Sequence, residues 1–223
     1  MDVKRKRLAL SVSAVVVIAG LAAGAAYVLE IPPFAGRGVI DAGNVCASAG
    51  DPGRSVPALK DALPSKAKYS FEDRYNGKNV AEGGSSYNAY CFVRGDGDLL
   101  LSTRSQMMLA TPSKEWVAEA LDEERTEGAE EFEAGALGVV DLSSLKAAVL
   151  TPCSAPGTVV GGSYSISTVV HLRPYDGADG AKVKQRLVDL AVEAARFAHK
   201  SAKCDLPSGL PAEGPRVRAD SSE

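Results

Sequence analysis

Four consecutive basic residues, Lys4, Arg5, Lys6 and Arg7, precede a stretch from residue 8 to residue 29 that carries no charge at all. Wound as an α-helix at about 1.5 Å per residue, that stretch is ~33 Å long, the thickness of a bilayer's hydrocarbon core. The reading is a transmembrane helix over 8–29 with a cytoplasmic basic flank over 1–7. Cytoplasmic flanks hold the excess of Lys and Arg, so everything beyond residue 30 is expected outside the cytosol. A secretory signal peptide is the rival reading: Ala23, Gly24 and Ala25 form an A-x-A match, and cleavage near Ala25 would release a secreted protein. The apolar stretch outlasts an ordinary signal core, so the retained single-pass anchor is preferred. Both readings export the remainder.

Composition fits export. Residues 8–223 hold 21 Lys and Arg against 27 Asp and Glu, a formal charge of −6. That balance argues against nucleic acid or an anionic membrane surface as the main partner. Residues 30–43 contain Pro32, Pro33, Gly36, Gly38 and Gly43 and read as an extended tether. At the far end, 205–223 mixes three prolines with serines and scattered charge, a composition that reads as a disordered tail.

All four cysteines, Cys46, Cys91, Cys153 and Cys204, lie in the exported part. An even count in an oxidising compartment reads as a disulfide framework, with three pairings open. Pairing of sequence neighbours is preferred; by the chain-entropy account each bridge would contribute ~4 kcal/mol by restricting the unfolded chain. None of the spacings is that of a C-x-x-C metal or redox motif, and His171 and His199 are the only histidines, so no metal site is expected.

Between the tether and the tail the chain reads as two halves with one plan. The first, 44–127, opens with a short helix for which Ser55 is the candidate cap, Val56, Leu59 and Leu63 the apolar side and Pro64 the stop. A β-hairpin follows, with strands over 88–93 and 99–107 joined through Gly95, Asp96 and Gly97. Thr111 and Pro112 then open a helix that turns Trp116, Val117, Ala120 and Leu121 toward a core and ends near Arg125. Residues 128–136 read as an acidic linker. The second half, 137–204, has one or two strands over 139–150, a β-branched strand over 164–172 and a long helix over 179–203 with Val183, Leu187, Leu190, Ala194 and Ala198 at helical spacing. The expected fold is α+β: an N-terminal membrane helix, then two related, disulfide-clipped subdomains, each a small antiparallel sheet covered by a helix.

The order of these features resembles an actinobacterial group of single-pass membrane or secreted proteins with an extracytoplasmic four-cysteine α+β domain. The shared pattern is a basic start, an Ala/Val-rich anchor, a cysteine soon after the tether, AVLTPC at 148–153 and RLVDLAVEAARFAHKSAKC at 186–204. At the first cysteine this chain departs from the pattern, with Ala47 where an aromatic residue often stands. The resemblance implies the anchor and two local disulfides; it brings no activity and no ligand.

Motifs of chemistry are few. Ser143 and Lys146 match S-x-x-K, but the S-D-N and K-T-G companions of penicillin-recognising enzymes are missing, and a loop surface is the simpler account. The stretch 161–165 is close to G-x-S-x-G with its last position wrong. His171 is expected to point outward from its strand while Val170 and Leu172 point in. His199 sits among Arg196, Lys200 and Lys203 at a helix C-terminus, where the dipole accounts for it. Arg94, Gly95 and Asp96 spell an adhesion tripeptide at a position whose turn demands such residues anyway. Phosphate loops, EF-hand loops and nucleotide fingerprints do not occur. The expected function is therefore a membrane-anchored extracytoplasmic binding module rather than an enzyme, with no catalytic residue and no cofactor. Its partner would be an envelope component or another membrane protein. The alternative is a cell-envelope hydrolase whose site lies between the two halves.

Overall fold

Asp96 and Gly97 both adopt positive φ, 52° and 95°, the requirement of a two-residue hairpin turn whose twist suits its strands. They join β2 (Asn88–Gly95) to β3 (Asp98–Leu109) in the expected hairpin. The structure, a computed structural model, describes residues 36–122, 128–176 and 180–217. The expected membrane helix over 8–29 lies outside the described residues, and among the described residues no helix is long and apolar enough to cross a membrane. Residues 36–38 and Ser65–Lys68 belong to a small unit of their own, in which the Gly38 amide donates to the Lys66 carbonyl at 2.7 Å. The larger unit carries all the helices and strands described below.

In chain order these are α1 (Pro52–Ala62), β1 (Tyr69–Asn76), β2, β3, α2 (Ser113–Leu121), β4 (Glu130–Phe132), β5 (Leu137–Asp141), β6 (Lys146–Val159), β7 (Gly162–Leu172) and α3 (Gly180–Ser201). Seven strands form one antiparallel sheet in the order β1-β2-β3-β7-β6-β5-β4. The fold is α+β. The halves expected to hold a sheet each are continuous here, because β3 pairs with β7 from Leu101 opposite Leu172 to Leu109 opposite Tyr164. Both strands alternate buried and accessible residues, and two such long strands left as separate edges would expose their backbone groups.

The inner face of the sheet holds the main core. Cys91, Val93, Leu101, Val149, Val170 and Leu172 meet Val183, Leu187, Val188 and Ala191 of α3, which lies across β6 and β7 with α1 packed at its side. Asp51, not Ser55, caps α1: its carboxylate accepts from the Gly53 amide at 2.7 Å, with Pro52 in the first turn. Ser55 is instead fully buried. Gly50, at φ 95°, passes so close to α3 that a Cβ would lie 2.6 Å from the Glu193 carbonyl oxygen. On the outer face, Trp116 and Leu121 of α2 pack on Val139, Ala148 and Leu150.

Both disulfides join sequence neighbours, Cys46 to Cys91 and Cys153 to Cys204. Two stretches differ from their sequence reading. Within 128–136, expected as a linker, β4 forms the sheet edge, and Glu130 accepts an ion pair at 2.8 Å from Lys184 of α3, which is only 4% exposed. Residues 205–217, expected as a disordered tail, form a strap. The amides of Asp205 and Leu206 donate to the Cys153 carbonyl, Arg196 donates to the carbonyls of Pro211 and Ala212, and Gln185 exchanges bonds with Pro215 and Val217. Proline has no amide hydrogen to give to a ladder, and α3 side chains satisfy the carbonyls of Pro211, Ala212 and Pro215 instead.

Candidate functional site

Helix α2 covers only part of the outer face. It packs on β5 and β6 and reaches β7 through the Trp116 indole, which donates to Ser167 at 2.8 Å. Among the described residues, no helix covers the outer face of β1 and β2, and on β3 Met108 is the residue that packs against the α2 cluster. Alternation places Tyr90 and Phe92 of β2 there, since Ala89, Cys91 and Val93 turn inward and are buried. Their rings are nearly parallel, 7° apart, with centroids 6.2 Å from each other.

Register arranges the neighbours in rows. Tyr90 stands opposite Arg74 of β1 on one side and Arg104 of β3 on the other. The next row runs Glu72, Phe92, Ser102, His171 and Lys146 across β1, β2, β3, β7 and β6. Arg74 is paired with Glu72, and Arg104 donates to the Gln106 amide oxygen.

Where this open surface meets the end of α2 there is a cleft of about 270 Å³, lined by Ser102, Arg104, Glu119, Asp122, Lys146 and His171 among others. It lies along the β3–β7 seam, the junction of the two sequence halves. Lys146 is nearly buried; its ammonium donates to the Leu121 carbonyl and to Asp122, the latter at 3.1 Å. A cation here satisfies the last carbonyls of α2 and complements its dipole. Burial pushes His171 below its ordinary pKa, and the positive charges of Lys146 and Arg173 push it further against the opposing pull of Asp122. The ring is therefore neutral at pH 7.

The structure accounts for the remaining motif residues. Ser143 lies in the β5–β6 turn, where its hydroxyl and amide donate to Asp141, while Lys146 caps α2; the S-x-x-K spacing falls on a turn and a strand, not on a helix. Residues 161–165 form the β6–β7 hairpin end, with Tyr164 donating to the Val160 carbonyl at 3.0 Å. Arg94, Gly95 and Asp96 occupy the β2–β3 turn, Gly95 being buried. His171 does turn outward from between the buried Val170 and Leu172. His199 is in the last turn of α3, but burial holds it below its usual pKa against the Leu206 and Pro152 backbone, so at pH 7 it is not the dipole's cation.

A second cleft, about 240 Å³, lies between α1, α3 and residues 213–216. Four of its six charged lining residues are paired: Arg186 with Asp61 and Asp189, and Glu193 with Arg54 and Arg196. That cleft is a fastening of the strap. Among the described residues, no group of three or more His, Cys, Asp and Glu is placed to hold a metal. Sequence reasoning missed the Tyr90–Phe92 surface, although the alternation over 88–93 was its signal; which face α2 would cover is decided only by the sheet order. No protein-family model, curated protein or solved structure matches this chain.

Proposed function

We propose that this protein is a membrane-anchored binding module of the cell envelope, held by residues 8–29 and engaging its partner through the outer face of β1–β3. The single observation that carries this reading is the uncovered aromatic surface. Among the described residues, α3 covers the apolar inner face and α2 the outer face of β5 and β6, whereas Tyr90 and Phe92 stand half-buried among polar side chains with no helix over them. Half-covered antiparallel sheets present such a face to water or to a partner. Two disulfides suit an oxidising compartment and so support the exported orientation. Two related halves and kinship with the actinobacterial group belong to the same proposal. Its support is that each half contributes antiparallel strands and its own disulfide.

A photo-crosslinking residue at position 90 of the full chain in its own membranes tests the reading, with position 200 on the opposite side as the control. Defined adducts from position 90 and none from position 200 are expected. Equal patterns from both positions would refute a site on the open face.

The hydrolase reading is favoured by one observation, the convergence of Ser102, His171, Asp122 and Lys146 at the seam. Against it, Ser102 and His171 stand opposite each other on β3 and β7 without a hydrogen bond between them, and Lys146 and Asp122 are bonded to each other at the end of α2, so the oriented base–nucleophile pair that acyl transfer needs is not formed among the described residues. A fluorophosphonate probe that labels the native chain and not the Ser102→Ala variant would establish this second reading.

A further inference from the structure

The open sheet face combines aromatic and cationic groups in a fixed pattern. Arg74 and Arg104 stand directly opposite Tyr90 on the two flanking strands. With strands about 4.8 Å apart, their Cα atoms lie about 10 Å from each other across the aromatic residue. Arg94 lies two residues beyond Phe92 on the same face of β2. Glu72 is the acid in these rows over β1–β3, and it is paired with Arg74. Around the face the polar residues are Asn76, Asn88, Ser102 and Gln106, all amide or hydroxyl donors and acceptors.

We infer that this face binds a polysaccharide bearing carboxylates. The inference rests on the binding-module reading above and names the class of its ligand. Aromatic rings present an apolar face on which the C–H face of a sugar ring packs, and their π-clouds favour flat, partly positive edges. Guanidinium groups hold carboxylates by paired, planar hydrogen bonds that an ammonium does not reproduce. Amides and hydroxyls match sugar hydroxyls. A neutral glycan would leave Arg104, whose partner on this face is the neutral Gln106 amide, without a charged counterpart. Single-stranded nucleic acid could stack on the same rings, but the amides and hydroxyls around them, Asn76, Asn88, Ser102 and Gln106, match the hydroxyls of a sugar ring, which a deoxynucleotide lacks.

The test uses the full chain in detergent micelles and titrates polygalacturonate, neutral dextran and oligo(dT) by calorimetry. Polygalacturonate is expected to bind, to weaken as salt is raised, and to bind better than either control. Replacing both arginines, Arg74→Ala with Arg104→Ala, should weaken it at least about tenfold, as loss of charge-assisted hydrogen bonds does. Tyr90→Ala should weaken it by a similar factor. Arg74→Lys with Arg104→Lys, which keeps charge and fold, should still lose about threefold or more because the paired geometry is gone. Lys200→Ala, on α3, should change nothing. Circular dichroism and intact disulfides establish that each variant is folded.

Polygalacturonate binding no better than dextran, oligo(dT) binding more tightly than polygalacturonate, or a folded lysine variant that binds like the native chain would each overturn the assignment. Hydroxyl-radical footprinting with the cell's own envelope material separates this failure from that of the parent reading. Protection of Tyr90 without polygalacturonate binding removes the glycan and leaves a binding face. No protection and no binding removes both.

Discussion

Ser55 sits in α1 with no exposure to water and no hydrogen-bond partner for its hydroxyl. An unmet buried hydroxyl costs about 1–3 kcal/mol, so Ser55→Ala should leave stability unchanged or raise it by about 1 kcal/mol, measured by urea unfolding. A capping role would give a loss instead, and Asp51→Ala is the variant expected to lose about 1 kcal/mol. Single titrating residues set the pH response. His171 and His199 are both lowered from 6.5 chiefly by burial, so the fold prefers them neutral. Their contribution is complete above about pH 6.5 and is lost as the pH falls through the lowered values. Asp141 acts further down. Burial alone would raise it, but hydrogen bonds from Ser144 and Ser143 outweigh burial and hold it below 3.8. That contribution is present above 3.8 and disappears in stronger acid. Stability should thus be flat from pH 7 to 8.5 and decline first as the pH falls below 6.5, with a shallower decline in His199→Asn; a decline unaltered by that variant would exclude His199 as a source.

Elements differ in how plainly the chain announces them. The hairpin of β2 and β3 and the long helix α3 were legible because their signals are local: a turn that needs Asp96 and Gly97, and an apolar stripe at helical spacing. β1 was not legible. Tyr69, Phe71 and Tyr75 alternate with Ser70, Glu72, Arg74 and Asn76, but Asp73 interrupts the apolar side, and as an edge strand β1 buries only Tyr69 among its eight residues. Its place is set by Asp73, which accepts from the Ala47 and Ser48 amides beside Cys46. β4 and the strap were hidden by composition, since acid and proline-rich stretches look like linkers until α3 supplies Lys184, Arg196 and Gln185 as partners. The aromatic face was half legible: alternation pairs Tyr90 with Phe92, but Arg74 and Arg104 reach them only through sheet register. Arg196→Ala should release the strap, seen as faster proteolysis between residues 205 and 217 with little change in the secondary structure measured by circular dichroism. Proteolysis as slow as in the native chain would mean that other contacts hold it.

At the scale of the whole molecule, the β3–β7 pairing binds the two sequence halves into a single sheet with one main core under α3. Unfolding should therefore be one cooperative step. Trp116, the chain's only tryptophan, sits in the cluster under α2, whereas far-ultraviolet circular dichroism reports on all helices and strands. Coincident urea midpoints by the two signals are expected, and separated midpoints would show that the halves melt independently. Loss of either crosslink, by Cys46→Ser with Cys91→Ser or Cys153→Ser with Cys204→Ser, should cost about 4 kcal/mol on the chain-entropy account, since the loops closed span 45 and 51 residues. The second pair has a wider effect. The peptide that follows Cys204 at once gives its amides to the Cys153 carbonyl, so breaking that one sulfur–sulfur link also loosens the root of the strap and leaves it to the Arg196 and Gln185 contacts further on. The C-terminal stretch thereby becomes a gauge of thiol chemistry: clipped by trypsin at Arg216 when the pair is reduced, spared while it is oxidised.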